Sequence, residues 1–495
     1  MFRTPRSSTA LAAALLALAG CSNFSVGGGD SGGGGGAATA QAEGVTPEAL
    51  RAAVKDEPLR RFYEARQWQS AWSAEGAEQL KGALRNAVNH GIDPKTFLAD
   101  AESGGSAVEK EVAMSRAALA YADALAHGRS DPTKLFEDYT IARNQVDVPA
   151  GLAQAVSQGQ GAQWIEGLAP QDEEYRALSQ AYVQHLQAAQ QPQQGQQQQG
   201  QNGQEKQQVA AKGKEKAKAE SREKQAAKAA PAVPRDRAVV LAVNMERRRW
   251  LPRQPEATRI DVNTAGTFLK YIRDNQVADQ RVVVVGEPGW ETPQLGSPMF
   301  RLVANPDWTV PESIEKDELA KLSPAQLQRK NMARENGRIV QQPGPDNALG
   351  QVKFDLKNDE AIYLHDTPAK AFFQKPQRHL SHGCVRVNDA IGFARLIAEH
   401  YGVREEFEKA HSQAPKKGEG DNVKPAFINL PQELPVRLLY HTAFLDNGQL
   451  QFTPDPYGWD AKVAQALGLP VPPASQINQE SAEQKRQRRE SDFGP

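Results

Sequence analysis

Cysteine is almost missing from this chain, which has two, Cys21 and Cys384, in 495 residues. So few exclude a disulfide-stapled fold and any zinc site built from C-x-x-C pairs. Net charge is equally scant. The 59 basic and 60 acidic residues leave −1, so no basic field points to nucleic acid. Long apolar runs are lacking too. The one near the N-terminus, Ala10 to Ala19, falls well short of the about 20 residues that cross a bilayer.

What that N-terminus does contain is Arg3 and Arg6, the apolar run, then small residues, the layout of a cleavable export signal over residues 1–20. Leu18-Ala19-Gly20-Cys21 resembles a bacterial lipobox, in which Cys21 receives a diacylglyceryl anchor. The plainer alternative is an ordinary signal beside a chance cysteine. With Cys21 lipidated, Cys384 has no partner within the chain, and an unpaired thiol in an oxidising compartment is a liability unless its reactivity is used.

Composition divides the rest. Residues 21–45 are a Gly-rich tether. Residues 46–186 read as a helical domain: Thr46-Pro47-Glu48 is a capped start, and Leu80, Leu84 and Val88 share a face before Gly91. Ala107 to His127 carries a stripe that ends at Gly128, and the aromatics from Phe62 to Trp72 fit a core. Residues 187–234, rich in Gln and then Lys, cannot bury enough apolar surface and read as a disordered linker. Residues 235–465 change character. The runs 238–243, 281–286 and 300–303 look like strands or core segments, while 316–336 interrupts them with a charged helical pattern. Gln351 to Leu356 alternates strictly. After a turn at Asn358-Asp359, residues 361–365 run back with Ile362 and Leu364 inward, and Tyr363 and His365 on the other face. Residues 466–495 read as a disordered tail. The fold class is therefore α+β: helical domain, low-complexity linker, mainly β domain.

Chemistry concentrates in Arg378-His379-Leu380-Ser381-His382-Gly383-Cys384-Val385-Arg386-Val387-Asn388. A free thiol has a pKa of ~8.5, so a nucleophilic one needs an imidazole or other cation nearby. His382 is too near in sequence for good geometry, so His365, arriving from another strand, is the better base. Gly383 permits a sharp turn that leaves the surrounding amides free to bind an oxyanion. Asn388-Asp389 would cap a following helix. Two other readings stand beside this one. His365, His379, His382 and Cys384 form a donor set zinc accepts, though the neighbouring Arg386 would repel a cation. A purely structural turn would satisfy the histidines but leaves the solitary thiol unexplained.

The run from Ser381 to Asn388, with His365 upstream, resembles the signature of the L,D-transpeptidase catalytic domain of the YkuD type. Asn244-Met245-Glu246-Arg247, the stretches 305–311 and 342–350, and Leu364-His365-Asp366-Thr367-Pro368 resemble its large, YcbB-like branch, as do Phe62 to Trp72 and His127 to Pro132 for that branch's helical scaffold. The resemblance implies a β-sandwich with a helical capping insertion at about 312–340. It implies Cys384 as nucleophile attacking a peptidoglycan stem peptide, His365 as base and then acid, and an oxyanion hole from the amides of His382, Gly383 and Cys384. Ser381, Arg386 and Asn388 fall at positioning or structural places in the motif. The implied product is a 3,3 cross-link, with no metal or organic cofactor and with acylation by carbapenems. A water acceptor would instead make a carboxypeptidase, an envelope-protein lysine an anchoring enzyme, and a dead site a wall-binding scaffold. Export with the lipid anchor places the chain in the periplasm, and Ser22 suggests the outer membrane. Two departures stand out: no peptidoglycan-binding module beside the scaffold, and Arg248 where tryptophan is usual.

Overall fold

The computed structural model describes residues 44–190, 237–319, 321–415 and 423–472. Cys21 with its signal, most of the linker and residues 473–495 lie outside them. The described residues belong to one compact unit within Gln41–Pro495. None of their helices is long and apolar enough to cross a membrane.

The N-terminal half is helical for the local reasons expected. Thr46, Asp56, Ser73 and Ser106 each accept a backbone N–H at a helix start, and Ser106 with Glu109 closes a capping box. The helix Ala107–His127 is the axis, burying Val112, Leu119, Tyr121 and Leu125 against Leu50, Leu59, Phe62 and Tyr63. The helix Glu173–Gln190 carries order into residues 187–190, which had been expected to open the linker.

The second half is built around strands: β1 Arg259–Asn263, β2 Phe268–Arg273, β3 Gln276–Gly286, β4 Met299–Ala304, β5 Trp308–Thr309, β6 Met332–Glu335, β7 Arg338–Gln341, β8 Val352–Leu356, β9 Leu364–His365, β10 His379–Ser381, β11 Val385–Val387, β12 Ala426–Leu434, β13 Val436–Leu439, β14 Ala443–Asp446 and β15 Gln449–Phe452. Ten of them form one sheet in the order β12-β4-β8-β9-β11-β3-β2-β1-β13, with β10 also on β3. The long β3 joins two limbs whose inward residues, Val262 and Leu269 from one and Leu302 and Phe354 from the other, share a single core with the helix Ala390–His400.

Three expectations change. Residues 238–243 are not a strand but the start of the helix Arg237–Trp250. A short apolar run does not by itself distinguish a buried helix from a strand, and here the packing of Leu241, Ala242 and Val243 overrides β-branched preference. The cap at 312–340 is mixed rather than helical. Only Glu312–Ile314, a π turn at Glu315–Leu319 and Pro324–Arg329 are helical, while β6 and β7 form a hairpin closed by Asn336-Gly337, both at positive φ. Residues 466–472, expected within the tail, are ordered instead: Ala466 closes the helix Trp459–Ala466 and Leu467 is buried.

The helix Arg237–Trp250 ties the scaffold to the sheet. The Glu246 carboxylate, fully buried, accepts from the Arg129 and Ser130 amides at 2.6 and 2.7 Å and pairs with Arg249 at 2.7 Å. From the same turn of helix, Asn244 bonds Thr442, and Arg247 pairs with Asp460. Arg248, the departure from tryptophan, holds Glu174 and Asp172 at 2.7 and 2.8 Å. Removing one partner of a buried pair strands the other, so Glu246→Ala is expected to lower unfolding free energy by about 3–5 kcal/mol in urea titration.

Candidate active site

Strand β11 lies between β9 and β3. Its parallel register with β9 sets Val385 beside Leu364 and Arg386 beside His365. Side chains alternate along a strand and paired residues face the same way, so Tyr363, His365, Cys384 and Arg386 share one side. Leu364, Val385 and Val387 go inward, fully buried.

A narrow cleft opens on that side, with about 60 Å³ of free volume. His365, Ser381, His382, Cys384 and Arg386 line it together with Trp308, Tyr363, Leu349 and two cap residues, Pro311 and Ile314. Five of the seven site residues expected from the sequence thus meet at one place. Gly383 lies between lining residues, at φ +109°, a conformation that favours glycine. Asn388 does not reach the cleft. It is exposed at the end of β11, its amide bonded to Val282, and Asp389 rather than Asn388 caps the next helix. His379 is turned away, its Nε2 3.0 Å from the Thr264 carbonyl and its ring against Tyr457. Among the described residues no three His, Cys, Asp or Glu side chains are grouped to hold a metal ion.

The His365 ring is buried, and its Nδ1 lies 2.5 Å from the Asp366 carbonyl. A carbonyl only accepts, so Nδ1 carries the proton and Nε2 the lone pair. Burial, reinforced by the Arg386 guanidinium, pulls the imidazole pKa down to about 3. The half-buried Cys384 thiol is pushed up by burial, an effect that the Tyr363 hydrogen bonds, Lys353 and Arg386 only partly offset. Its sulfur meets the Ala361 carbonyl at 3.8 Å and both the backbone N–H and the hydroxyl of Tyr363. Since the Trp308 indole can only donate to that hydroxyl, Tyr363 has its own proton for the sulfur. Lys353, opposite His365 on β8, sits 4.3 Å over the Tyr363 ring.

The resting pair is therefore a neutral thiol and a neutral imidazole. Sequence reasoning missed Trp308, Lys353 and the cap residues. The strict alternation of β8 could have pointed to Lys353. Only the cap's fold reveals Pro311 and Ile314.

Of the three amides expected to form an oxyanion hole, the Gly383 N–H already leans on Ser381 Oγ, at 3.3 Å. Ser381 Oγ in turn donates to the Cys384 carbonyl at 2.6 Å.

Comparison with known proteins matches both halves. Residues 57–181 fit the scaffold domain and residues 257–423 the L,D-transpeptidase catalytic domain, YkuD. Residues 257–423 thus carry a catalytic domain of the L,D-transpeptidase type. A Haemophilus influenzae protein named "Putative L,D-transpeptidase" is 30% identical over 246 residues, 45% of this chain and 48% of that protein. The match thus spans about half the length of this relative. A solved structure titled as the Ldtfm-avibactam carbamoyl enzyme aligns with 38% of this chain and 51% of its own at 13% identity, with a TM-score of 0.20, too weak a likeness to bear on the fold.

A raised thiol pKa means the protonated form holds below it and thiolate grows about tenfold per pH unit. Alkylation of Cys384 by iodoacetamide should therefore climb steadily from pH 6 to 9. A rate already level by pH 6 would reveal a preformed ion pair instead.

Proposed function

We propose that this chain is a peptidoglycan L,D-transpeptidase that works through a thioester on Cys384. The observation supporting this most directly is that the chain's one described thiol, an imidazole with its lone pair on Nε2, and the Gly383 turn line or adjoin one narrow cleft. His365 Nε2 takes the thiol proton as sulfur attacks the carbonyl of the stem's third residue, at its L-centre. The same imidazole returns the proton to the departing terminal D-alanine, and a thioester remains. The side-chain amine of a second stem then displaces sulfur and forms a 3,3 cross-link. With both groups neutral at rest, ionisation accompanies attack rather than preceding it, and the amides of the turn receive the charge that develops on the carbonyl oxygen.

Arg386 is the fixed positive charge beside the site and suits a carboxylate of the stem. His382, its ring against Trp290, forms the wall next to the nucleophile. Asn388 holds the strand end rather than the substrate. The cleft as it stands admits a few waters but no peptide, so the cap that contributes Pro311 and Ile314 moves aside when the stem enters. Export to the periplasm with a lipid on Cys21 would keep the enzyme at the wall.

Intact mass after exposure to a carbapenem is expected to show one adduct on the wild type and none on Cys384→Ala. His365→Ala should acylate about 10²–10⁴-fold more slowly. Digested peptidoglycan incubated with the enzyme should yield tripeptide–tetrapeptide dimers. Tripeptides alone would make the chain a carboxypeptidase, and an adduct surviving in Cys384→Ala would remove the nucleophile.

A further inference from the structure

The nucleophile's turn is braced from beneath by a residue that touches neither thiol nor cleft. Thr292 is fully buried in the loop that follows β3. Its hydroxyl donates to the Gly383 carbonyl at 2.7 Å and accepts the Gly286 N–H at 2.9 Å. The Tyr457 hydroxyl anchors the far side, donating to the Gly286 carbonyl at 2.7 Å. The loop is pressed so close that a Cβ at Gly286 would lie 2.0 Å from the Trp290 carbonyl oxygen. With both a donor and an acceptor partner, the Thr292 hydroxyl is held in this orientation.

We infer that Thr292 is a positioning residue for acyl transfer, its hydroxyl fixing the Gly383–Cys384 peptide plane so that the Cys384 N–H faces the cleft as an oxyanion donor. The inference rests on the reading of Cys384 as an acyl-accepting nucleophile. Its physical basis is the trans peptide, in which C=O and N–H point in opposite directions; no peptide bond in the described residues is cis. A carbonyl drawn down to buried Thr292 turns the partner amide the other way. Gly383 needs such a brace because glycine leaves the plane free to rotate. The Ser381 hydroxyl fixes the next carbonyl, that of Cys384, so the peptides on both sides of the nucleophile are held by side chains.

The test compares two reactions of one thiol in the full chain. In carbapenem acylation sulfur bonds to the lactam carbonyl carbon, the ring C–N bond breaks and the thiol proton passes to the departing nitrogen, through a tetrahedral oxyanion. In iodoacetamide alkylation sulfur displaces iodide with no oxyanion at all. Thr292→Val keeps the shape and loses the hydroxyl. It is expected to slow acylation about 10–100-fold, less than outright deletion of an oxyanion donor, while alkylation stays within about twofold. Thr292→Ser should restore most of the acylation rate, and Thr292→Ala serves in place of valine should that variant not fold. Wild-type acylation in the hydroxyl-free variant overturns the inference. So does an equal loss of both reactions, which would make Thr292 a prop for the thiol itself. A wild type that alkylates but never acylates sinks the acyl-transfer reading, and the inference with it.

Discussion

The parallel pairing of β9 with β11, in one register, is the constraint on which the site depends. Two residues on one strand and three on the other are too few to be stable alone. They are held because β8 flanks β9 and β3 flanks β11, each within a sheet that buries Leu364, Val385 and Val387. A slip of one residue would turn Cys384 or His365 into the core and bring Leu364 or Val385 to the cleft. The apolar cost of that exchange is what enforces the register.

Burial that secures the register also governs the charge state. Low solvation raises the thiol and depresses the imidazole, and Arg386 opposes protonation of His365 still further. Sulfur receives a hydrogen bond from Tyr363, which is itself held by Trp308 and lies beneath Lys353. Such a site does not store an ion pair. It keeps positive charge and oriented donors around a neutral thiol, a form of preorganisation that costs little at rest.

The scaffold meets the sheet through polar groups as well as apolar ones. Glu246 gathers the turn after the helix Ala107–His127, and Arg248 crosses to Glu174 and Asp172. Arg248 thus holds two carboxylates, one of which, Glu174, also lies 3.6 Å from His441 beside the sheet.

Local sequence alone determined the helix starts at Thr46, Ser73 and Ser106, the alternation of β8, and the placing of Gly383 directly before the Cys384 thiol. These depend on neighbours a few residues away, through caps, side-chain period and turn preference. The helical state of residues 238–243, the turning away of His379, the exclusion of Asn388 and the brace at Thr292 were decided only by the tertiary structure. Each depends on which distant segment arrives alongside: the scaffold for the first, Thr264 for the second, the end of β11 against β3 for the third, and the loop after β3 for the last. No local pattern encodes that arrival, because long-range packing selects among conformations that the local chain finds nearly equal in free energy.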